Sequence, residues 1–310
     1  MGAISYAITH APAFVGVEKG IFLKHGLDVK PKVLNSGTEM AQSLQAGEAH
    51  FMTAAVSNMP VAREAGMPVV GVAGFMQDAT KARFDEPMVI VGRTDRGLQP
   101  VQPGSLVGKK IGLAVGSTGD QYLTSVLQQI GVARNKVEVL HVTVGNAQSV
   151  LRSGSVDAVV VPEPFGTQIL EKVPGTITVK RGGGLIGFAV MLSVSEKLVK
   201  ERPDVVRRLV LAVAEATQYT RQHPDEAAEI STRWVPGLDL EVARKAIRFM
   251  QYDPRLSKFS LQNYQDASQD LVHQKKLKAP IPAAQAFNTT FIEQVLKERA
   301  DLASDLRPIP

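Results

Sequence analysis

Residues 43–53 read SLQAGEAHFMT, and residues 150–160 read VLRSGSVDAVV. Both stretches follow one plan. Each consists of the last turns of an amphipathic helix, a glycine that ends the helix (Gly47 and Gly154), and an apolar run typical of a buried strand. A strand-like segment also precedes each helix. The chain therefore builds the same strand–helix–strand unit twice, which predicts two similar α/β lobes.

Strand-like and helical segments alternate over the first two thirds of the sequence. This alternation predicts right-handed crossovers and largely parallel sheets. Strands are expected near residues 4–9, 28–34, 50–54, 69–75, 87–92, 111–115, 137–142, 157–161, 177–180 and 187–193, and helices near 12–24, 38–46, 58–65, 118–130, 146–153, 164–172 and 195–201. From Pro203 onward the pattern becomes helical, with runs at 203–222, from Pro224, after Asp239, and near 260–275 and 284–299.

Two extended apolar segments, 86–91 and 187–192, are where we expect the chain to pass between the lobes. They predict a hinge of two crossing strands, with one lobe inserted into the other. The expected division is lobe 1 at 1–87 and 189–310, including the helical last third, and lobe 2 at 88–188. Two lobes make a cleft, and clefts are where small ligands bind.

The composition is that of an ordinary soluble globular protein, with 44% hydrophobic and 21% charged residues in 310. The net charge of +5 raises nucleic acid as a partner. However, the basic residues are spread along the chain, and the one cluster, Lys275-Lys276-Leu277-Lys278, is typical of a solvated helix end. No nucleic-acid partner is therefore expected.

The residue types that most chemistry needs are missing or badly spaced. The chain has no cysteine, and its six histidines form neither an i, i+4 pair nor an H-E-x-x-H motif, so no metal site is expected. There is no G-x-S-x-G elbow. The glycine-rich stretches Gly116–Gly119 and Gly182–Gly184 lack the spacing of phosphate loops and dinucleotide fingerprints. No cofactor and no enzymatic activity are expected.

The chain opens with Met1-Gly2 and enters a strand-like run at once, without the basic and apolar regions of a signal peptide. A mature exported domain with a replacement start residue is expected to look like this. Whether a lipid-bearing cysteine was removed together with the leader is left open by the sequence.

Four predicted strand-to-helix junctions carry small polar residues where a helix begins. First-turn N–H groups lack intrahelical partners, and helix dipoles attract negative charge to these ends. Capping of their own helices is the plain alternative. Carboxyl ends of strands face the ligand crevice in open α/β sheets, so the junctions are expected to converge there. They are Ser36-Gly37-Thr38, Ser57-Asn58, Gly116–Asp120 and Glu163-Pro164.

Residues 18–29, EKGIFLKHGLDV, resemble the opening motif of a branch of periplasmic substrate-binding proteins. These proteins serve ABC importers of nitrate, aliphatic sulfonates, taurine and thiamine-precursor pyrimidines. The resemblance covers roughly residues 3 to 300. Further matches in family order are Leu44–Gly47, Leu106–Ile111 leading to Gly116-Ser117, Leu151–Ala158 leading to Glu163-Pro164-Phe165, and Arg202–Val206 heading a helix that ends near His223–Ala228.

The resemblance implies an α/β, two-lobed periplasmic-binding-protein-like fold (type II) with two crossing hinge strands and a helical C-terminal extension on lobe 1. For His10, the sequence allows either a hydrogen-bonding role or a plain surface role. Arg83 and Arg93 could reach the cleft or lie in solvent. The ligand contacts that the resemblance implies are Thr9, His10, Ser36, Gly37, Thr38, Ser57, Asn58, Ser117, Thr118 and Glu163, with Gly183 and Gly184 on the return path.

The implied function is the extracytoplasmic solute-binding component of an ABC importer. It would capture a small organic anion (sulfonate, taurine or similar), close around it, and deliver it to a membrane permease, as a periplasmic monomer. A pyrimidine or thiamine-precursor ligand is the alternative. A pyrimidine-synthesis enzyme of the same fold is disfavoured because its cysteine-rich motif is missing. A ligand-sensing domain of a regulator would need a helix-turn-helix, and none precedes the first predicted strand.

Overall fold

The computed structural model of the chain describes residues 2–5, 7–34 and 37–310. Its strands are β1 (Gly2–Ser5), β2 (Pro31–Leu34), β3 (Phe51–Ala55), β4 (Val69–Met76), β5 (Met88–Arg93), β6 (Lys110–Leu113), β7 (Glu138–His141), β8 (Ala158–Pro162), β9 (Thr176–Arg181) and β10 (Val190–Ser195). Its α-helices are α1 (Ala11–Glu18), α2 (Ile21–Lys24), α3 (Gly37–Gln45), α4 (Asn58–Glu64), α5 (Thr118–Gln129), α6 (Ala147–Ser153), α7 (Phe165–Lys172), α8 (Glu196–Glu201), α9 (Pro203–Gln222), α10 (Pro224–Trp234), α11 (Leu240–Ala246), α12 (Lys258–His273), α13 (Ala283–Ala286) and α14 (Thr290–Glu298).

The strands form two five-stranded sheets with the same plan, ordered β2-β1-β3-β10-β4 and β7-β6-β8-β5-β9. The repeated unit is confirmed, because β1, β2 and β3 take the places in one sheet that β6, β7 and β8 take in the other. The two helix-ending glycines also match, since Gly47 and Gly154 have φ of 74° and 75°. This left-handed backbone favours glycine and ends a helix.

The expectation of largely parallel sheets is wrong for half of the strand pairs. β10 runs antiparallel to β3 and β4, and β5 runs antiparallel to β8 and β9. The other pairs are parallel. The segments before β5 and β10, residues 77–87 and 182–189, contain no helix. Because no helical crossover leads into these two strands, the parallel orientation that a β-α-β unit imposes does not apply to them.

The chain divides into two compact units. Unit 1 comprises Met1–Ala82, Gly187–Gly237 and Met250–Pro310, and unit 2 comprises Arg83–Ile186 and Leu238–Phe249. This differs from the expected division, which placed all of 189–310 in lobe 1. The chain therefore passes between the units four times.

Segment 238–249 packs within unit 2 because its contacts lie there. Helix α11 packs on α7, and Lys245 pairs with Glu171 of α7 at 2.7 Å. The guanidinium carbon of Arg181, at the end of β9, lies 3.7 Å from the ring centroid of Phe249, a cation–π contact.

Two predicted elements near the N-terminus are interrupted in the structure. The helix expected at 12–24 is broken into α1 and α2, because Gly20 has a left-handed φ of 66°. The strand expected at 4–9 ends at Ser5, and Ile8–His10 forms a 3-10 turn that leads into α1. Thr9 and His10 therefore lie at the start of a helix.

Each unit has its own apolar core. In unit 2, Val89 and Val161 of the sheet belong to one buried apolar cluster with Leu151 of α6 and Ile169 of α7. In unit 1, α1 packs against α9 and α10, and the buried ring of Phe14 stacks on Trp234 at 5.4 Å. Within the described ranges, no helix combines the length and apolar character needed to cross a bilayer.

Candidate functional site

His10 is a buried, neutral side chain at the carboxyl end of β1. Its Nδ1 atom lies 2.7 Å from Oγ1 of Thr53 on β3, and only 4% of the residue is exposed. Burial lowers the pKa of His10 to about 3. The Tyr252 hydroxyl donates to the Ile8 carbonyl oxygen at 2.6 Å and fixes this turn. His10 can therefore act as a neutral hydrogen-bonding group but not as a cation near neutral pH. Thr9 is buried in the same turn.

Two predicted junctions of unit 1 meet at Gly37 and Asn58. These residues begin α3 and α4, and a Cβ atom on Gly37 would lie 2.1 Å from Nδ2 of Asn58. The close approach of the two helix starts thus requires glycine at position 37. Ser57 precedes α4, and its side chain makes no capping hydrogen bond. Ser36 and the side chain of Thr38 lie outside the described residues.

Ser117 caps its own helix in unit 2. Its Oγ atom accepts a hydrogen bond from the Gly119 N–H at 3.1 Å, and Thr118 is the first residue of α5. The Asp120 carboxylate accepts from the Gly116 N–H at 2.9 Å and pairs with Arg134 at 2.7 Å. The capping alternative therefore describes Ser117 as it stands in this structure, while a ligand contact stays a prediction.

Glu163 is fully committed to partners inside unit 2. Only 1% of the residue is exposed, and its Oε1 atom lies 2.6 Å from Nη2 of Arg181. The Thr167 N–H donates to Oε2 at 3.1 Å, and the Thr167 hydroxyl donates to Oε1 at 3.0 Å. Both carboxylate oxygens have partners, so in this structure Glu163 stabilises the packing of the start of α7 on the end of β9.

Gly183 and Gly184 belong to what we call the glycine turn, Gly182–Gly184, at the carboxyl end of β9. Its residues have φ of 48°, 111° and 69°. The Asp85 carboxylate accepts N–H hydrogen bonds from Gly184 at 2.8 Å, Leu185 at 2.8 Å and Ile186 at 3.2 Å. The Tyr122 hydroxyl donates to the Gly182 carbonyl at 2.8 Å. The Gly184 N–H is thus already hydrogen-bonded to the Asp85 carboxylate.

Arg93 and Arg83 have different surroundings. Arg93 pairs with Asp95 and donates to the carbonyl oxygens of Leu151 at 3.0 Å and Arg152 at 2.9 Å, which caps the end of α6. Arg83 is exposed and has no side-chain partner in the part of the chain that the structure describes.

Sequence reasoning missed the buried acids Asp85 and Asp253. Asp253 is fully buried in unit 1, pairs with Arg255 at 2.8 Å, and accepts from the Ala79 N–H at 3.2 Å. The only sequence signal is the arginine two positions after Asp253, and it is weak. Across residues 2–5, 7–34 and 37–310, no group of His, Asp or Glu side chains could hold a metal ion.

Unit 2 also carries an open groove of about 250 Å³ between α6 and α7. Gln168 donates to Gln148 across it at 3.1 Å. No residue of the predicted site lies in it. Its lining is Val144, Gly145, Gln148, Ser149, Arg152, Phe165, Gln168 and Ile169.

Comparison with solved structures identifies the fold. The periplasmic aliphatic sulphonate binding protein SsuA from Escherichia coli matches with a TM-score of 0.78 at 15% identity, covering 92% of this chain and 90% of that chain. The chain therefore has the fold of periplasmic binding proteins, as the sequence predicts. The family model described as NMT1/THI5 like matches residues 7–227, which is more than half of the chain. The chain belongs to the NMT1/THI5-like family.

Curated relatives are distant. A Bacillus subtilis protein provisionally named an aliphatic sulfonates-binding protein is 26% identical over 295 residues, which are 94% of this chain and 86% of that protein. A Brucella abortus protein provisionally named a binding protein is 24% identical over 226 residues, 71% of this chain and 66% of its own length. The chain thus spans just under two thirds of that relative.

One curated relative is an enzyme. The 4-amino-5-hydroxymethyl-2-methylpyrimidine phosphate synthase THI13 of Saccharomyces cerevisiae is 22% identical over 254 residues, covering 76% of this chain and 70% of that protein. The names of the other two relatives and of the structure compared above are those of binding proteins.

Proposed function

We propose that the chain is the extracytoplasmic solute-binding component of an ABC importer, which captures a small organic anion such as a sulfonate and delivers it to a membrane permease. The family membership and the names of the sulfonate-binding relatives support the importer class. The mature protein would act in the periplasm.

One observation carries the anion assignment. At the carboxyl ends of the strands, the buried carboxylates of Asp85, Glu163 and Asp253 are each neutralised by donors of the chain itself. The groups left over at these ends include first-turn N–H groups, hydroxyls and a neutral imidazole, which accept an anion more readily than a cation.

The same observation argues against catalysis. General acid–base chemistry needs an available group whose pKa lies near the working pH. His10 stays neutral, since burial lowers its pKa to about 3, and Glu163 has both oxygens occupied. A pyrimidine ligand or pyrimidine-synthesis activity remains the second candidate because of the yeast relative.

Isothermal titration calorimetry on the full chain tests the proposal. Ethanesulfonate, nitrate, propionate and 4-amino-5-hydroxymethyl-2-methylpyrimidine form the panel. We expect a sulfonate to bind with a Kd of about 1 μM, which corresponds to roughly −8 kcal/mol. Heat from the pyrimidine alone would favour the second candidate. No heat from any member would contradict solute capture of either kind.

A further inference from the structure

The groove between α6 and α7 has a role that the proposed function does not supply. It lies entirely within unit 2 and has a volume of about 250 Å³. Its two walls run side by side in the same direction, because Gln148 near the start of α6 bonds Gln168 of α7, while Arg152 in the last turn of α6 bonds the carbonyl oxygen of Lys172, where α7 ends. Pockets for drug-sized ligands measure about 300–1,000 Å³, so this groove suits a smaller molecule.

One end of the groove carries a guanidinium that has no carboxylate partner. Arg152 uses Nη2 for the Lys172 carbonyl oxygen at 3.2 Å, and it forms no ion pair with any residue that the structure describes. The neighbouring Arg93, by contrast, is paired with Asp95. A guanidinium is a planar fork of N–H donors that can hold a carboxylate bidentately. The remaining donors of Arg152 can therefore bind a carboxylate of a ligand.

The middle of the groove carries two side-chain amides, one from each wall. Gln168 donates to the side-chain carbonyl oxygen of Gln148 at 3.1 Å, and neither amide bonds any other group in the described ranges. The pair thus leaves an NH2 group on the α6 wall and a carbonyl oxygen on the α7 wall. A trans amide directs its own carbonyl oxygen and N–H to opposite sides. An amide lying along the groove can therefore bond both walls.

The floor of the groove is apolar. Ile169 belongs to the buried cluster of unit 2, and Val144 and Phe165 pack against that cluster while also lining the groove. Covering this floor with an apolar group removes both surfaces from water, which is favourable. The groove thus offers a cation, an amide partner and an apolar surface to one ligand.

We propose that this groove binds a small N-acylated amino acid with an apolar side chain. Its carboxylate lies on Arg152, its amide lies between Gln148 and Gln168, and its side chain covers the floor. Gln148 and Arg152 are four residues apart on one face of α6, which places their Cβ atoms about 5–6 Å apart. This spacing fits the ligand, in which the amide and the carboxylate are attached to the same carbon atom. The site is separate from the predicted strand-to-helix junctions and does not depend on the proposed function.

Titration of the full, isotope-labelled chain with N-acetyl-L-leucine, followed by NMR, tests the site. We expect a Kd of about 0.1 mM, with the largest shifts at backbone amides of 144–152 and 165–169. Three analogues each lack one group. N-acetyl-L-leucinamide has no carboxylate, 4-methylpentanoate has no amide, and N-acetylglycine has no apolar side chain. Each should bind about tenfold more weakly than N-acetyl-L-leucine.

Variants assign each ligand group to its partner in the groove. Arg152→Met should weaken N-acetyl-L-leucine about tenfold and leave the affinity for N-acetyl-L-leucinamide unchanged. Gln168→Met should weaken N-acetyl-L-leucine but not 4-methylpentanoate. The matched control is Arg96→Met, which removes an exposed arginine beside Gly154, at the same end of α6 but outside the groove lining. It should leave every affinity unchanged, and thermal melts check that all variants are folded.

Three results would overturn this inference. The first is equal affinity of the wild type for N-acetyl-L-leucine and its three analogues, or no shift with any of them. The second is a loss of affinity in Arg96→Met as large as that in Arg152→Met, since this would mean a diffuse attraction for carboxylates. The third is a set of shifts confined to the predicted strand-to-helix junctions, which would place the ligand there. None of these results bears on sulfonate capture, which the calorimetric panel tests separately.

Discussion

The Nδ1 atom of His10 lies 2.7 Å from Oγ1 of Thr53, and both side chains are buried. This hydrogen bond joins the turn after β1 to the neighbouring strand β3. Because the ring is cut off from water, protonation of His10 is unfavourable in the folded protein. The imidazole thus contributes polarity without charge at the carboxyl edge of the sheet in unit 1.

The first prediction concerns stability against pH. The pKa of His10 is about 3 in the folded chain against an ordinary 6.5. Between these values the unfolded state binds more protons, so stability falls as pH falls from about 6.5 to 3. From pH 7 to 4.5 this group should remove about 2 to 3 kcal/mol, and His10→Gln should abolish that part of the loss. Urea unfolding at both pH values, followed by Trp234 fluorescence, measures it.

The control for this pH prediction is His273→Gln, which changes an exposed histidine at the end of α12. It should leave the pH dependence as in the wild type. An identical loss in wild type and His10→Gln would contradict the buried neutral imidazole.

Glu163→Gln should destabilise unit 2 by about 3 kcal/mol, because the mostly buried Arg181 then loses its carboxylate partner. The control, Glu171→Gln near the end of α7, removes an exposed partner of Lys245 and should cost at most about 0.5 kcal/mol. Urea unfolding followed by far-UV circular dichroism measures both. If Glu163→Gln left stability unchanged but abolished ligand binding, the carboxylate would face the ligand instead.

Gly37→Ala should cost about 1–3 kcal/mol, because its Cβ atom would overlap the Asn58 amide. Asn58→Ala removes the overlapping amide, so the cost of Gly37→Ala should shrink in that background. Gly145→Ala is the matched control, since a Cβ atom there meets nothing within 4 Å. Thermal unfolding of the four variants gives the coupling. Additive effects would mean that the two helix starts do not touch.

Ser117 allows a capping role to be separated from a ligand role. If the hydroxyl only caps α5, Ser117→Ala should cost about 1 kcal/mol of stability and Ser117→Gly a few tenths, because glycine is itself a tolerated cap. Ligand affinity should then change little in either variant. An equal loss of affinity in both, measured by calorimetry, would show that the hydroxyl contacts the ligand.

Val101→Gly should stabilise the protein by about 1 kcal/mol. Val101 has a φ of 57°, which is strained for a β-branched residue, and the residue is 77% exposed, so little packing is lost. Its N–H bond to the Thr178 carbonyl at 3.1 Å survives the change. Val107→Gly, at a residue with an ordinary φ of −60°, should destabilise instead. A stability loss at both positions, seen by circular dichroism, would contradict the strain at Val101.

Local sequence predicted the elements well. All ten expected strands exist, because apolar runs bounded by glycine, proline or polar residues are a local signal. The helix starts at Pro203 and Pro224 were equally readable, since proline suits the first turn of a helix. The repeat at Gly47 and Gly154 could be recognised for the same reason.

Side-chain partners could not be predicted, because they join residues that are distant in sequence. Nothing in the sequence near Asp85 points to the N–H groups of 184–186. Glu163 could be placed at a helix start, but its pairing with Arg181 depends on how β8, β5 and β9 are ordered. The position of 238–249 escaped prediction too, since an amphipathic helix looks the same whichever core it covers.

The stacking of Trp234 on Phe14 has a practical consequence for anyone who unfolds this protein. It is the sole tryptophan, and Tyr219, Tyr252 and Tyr264 share its unit, which leaves Tyr122 as the one comparable chromophore of unit 2 among the residues that the structure describes. Intrinsic fluorescence and near-ultraviolet absorbance therefore report mainly on unit 1 and respond little to unfolding of unit 2. A melting curve recorded at those wavelengths would look like a single transition even if unit 2 came apart at a different temperature.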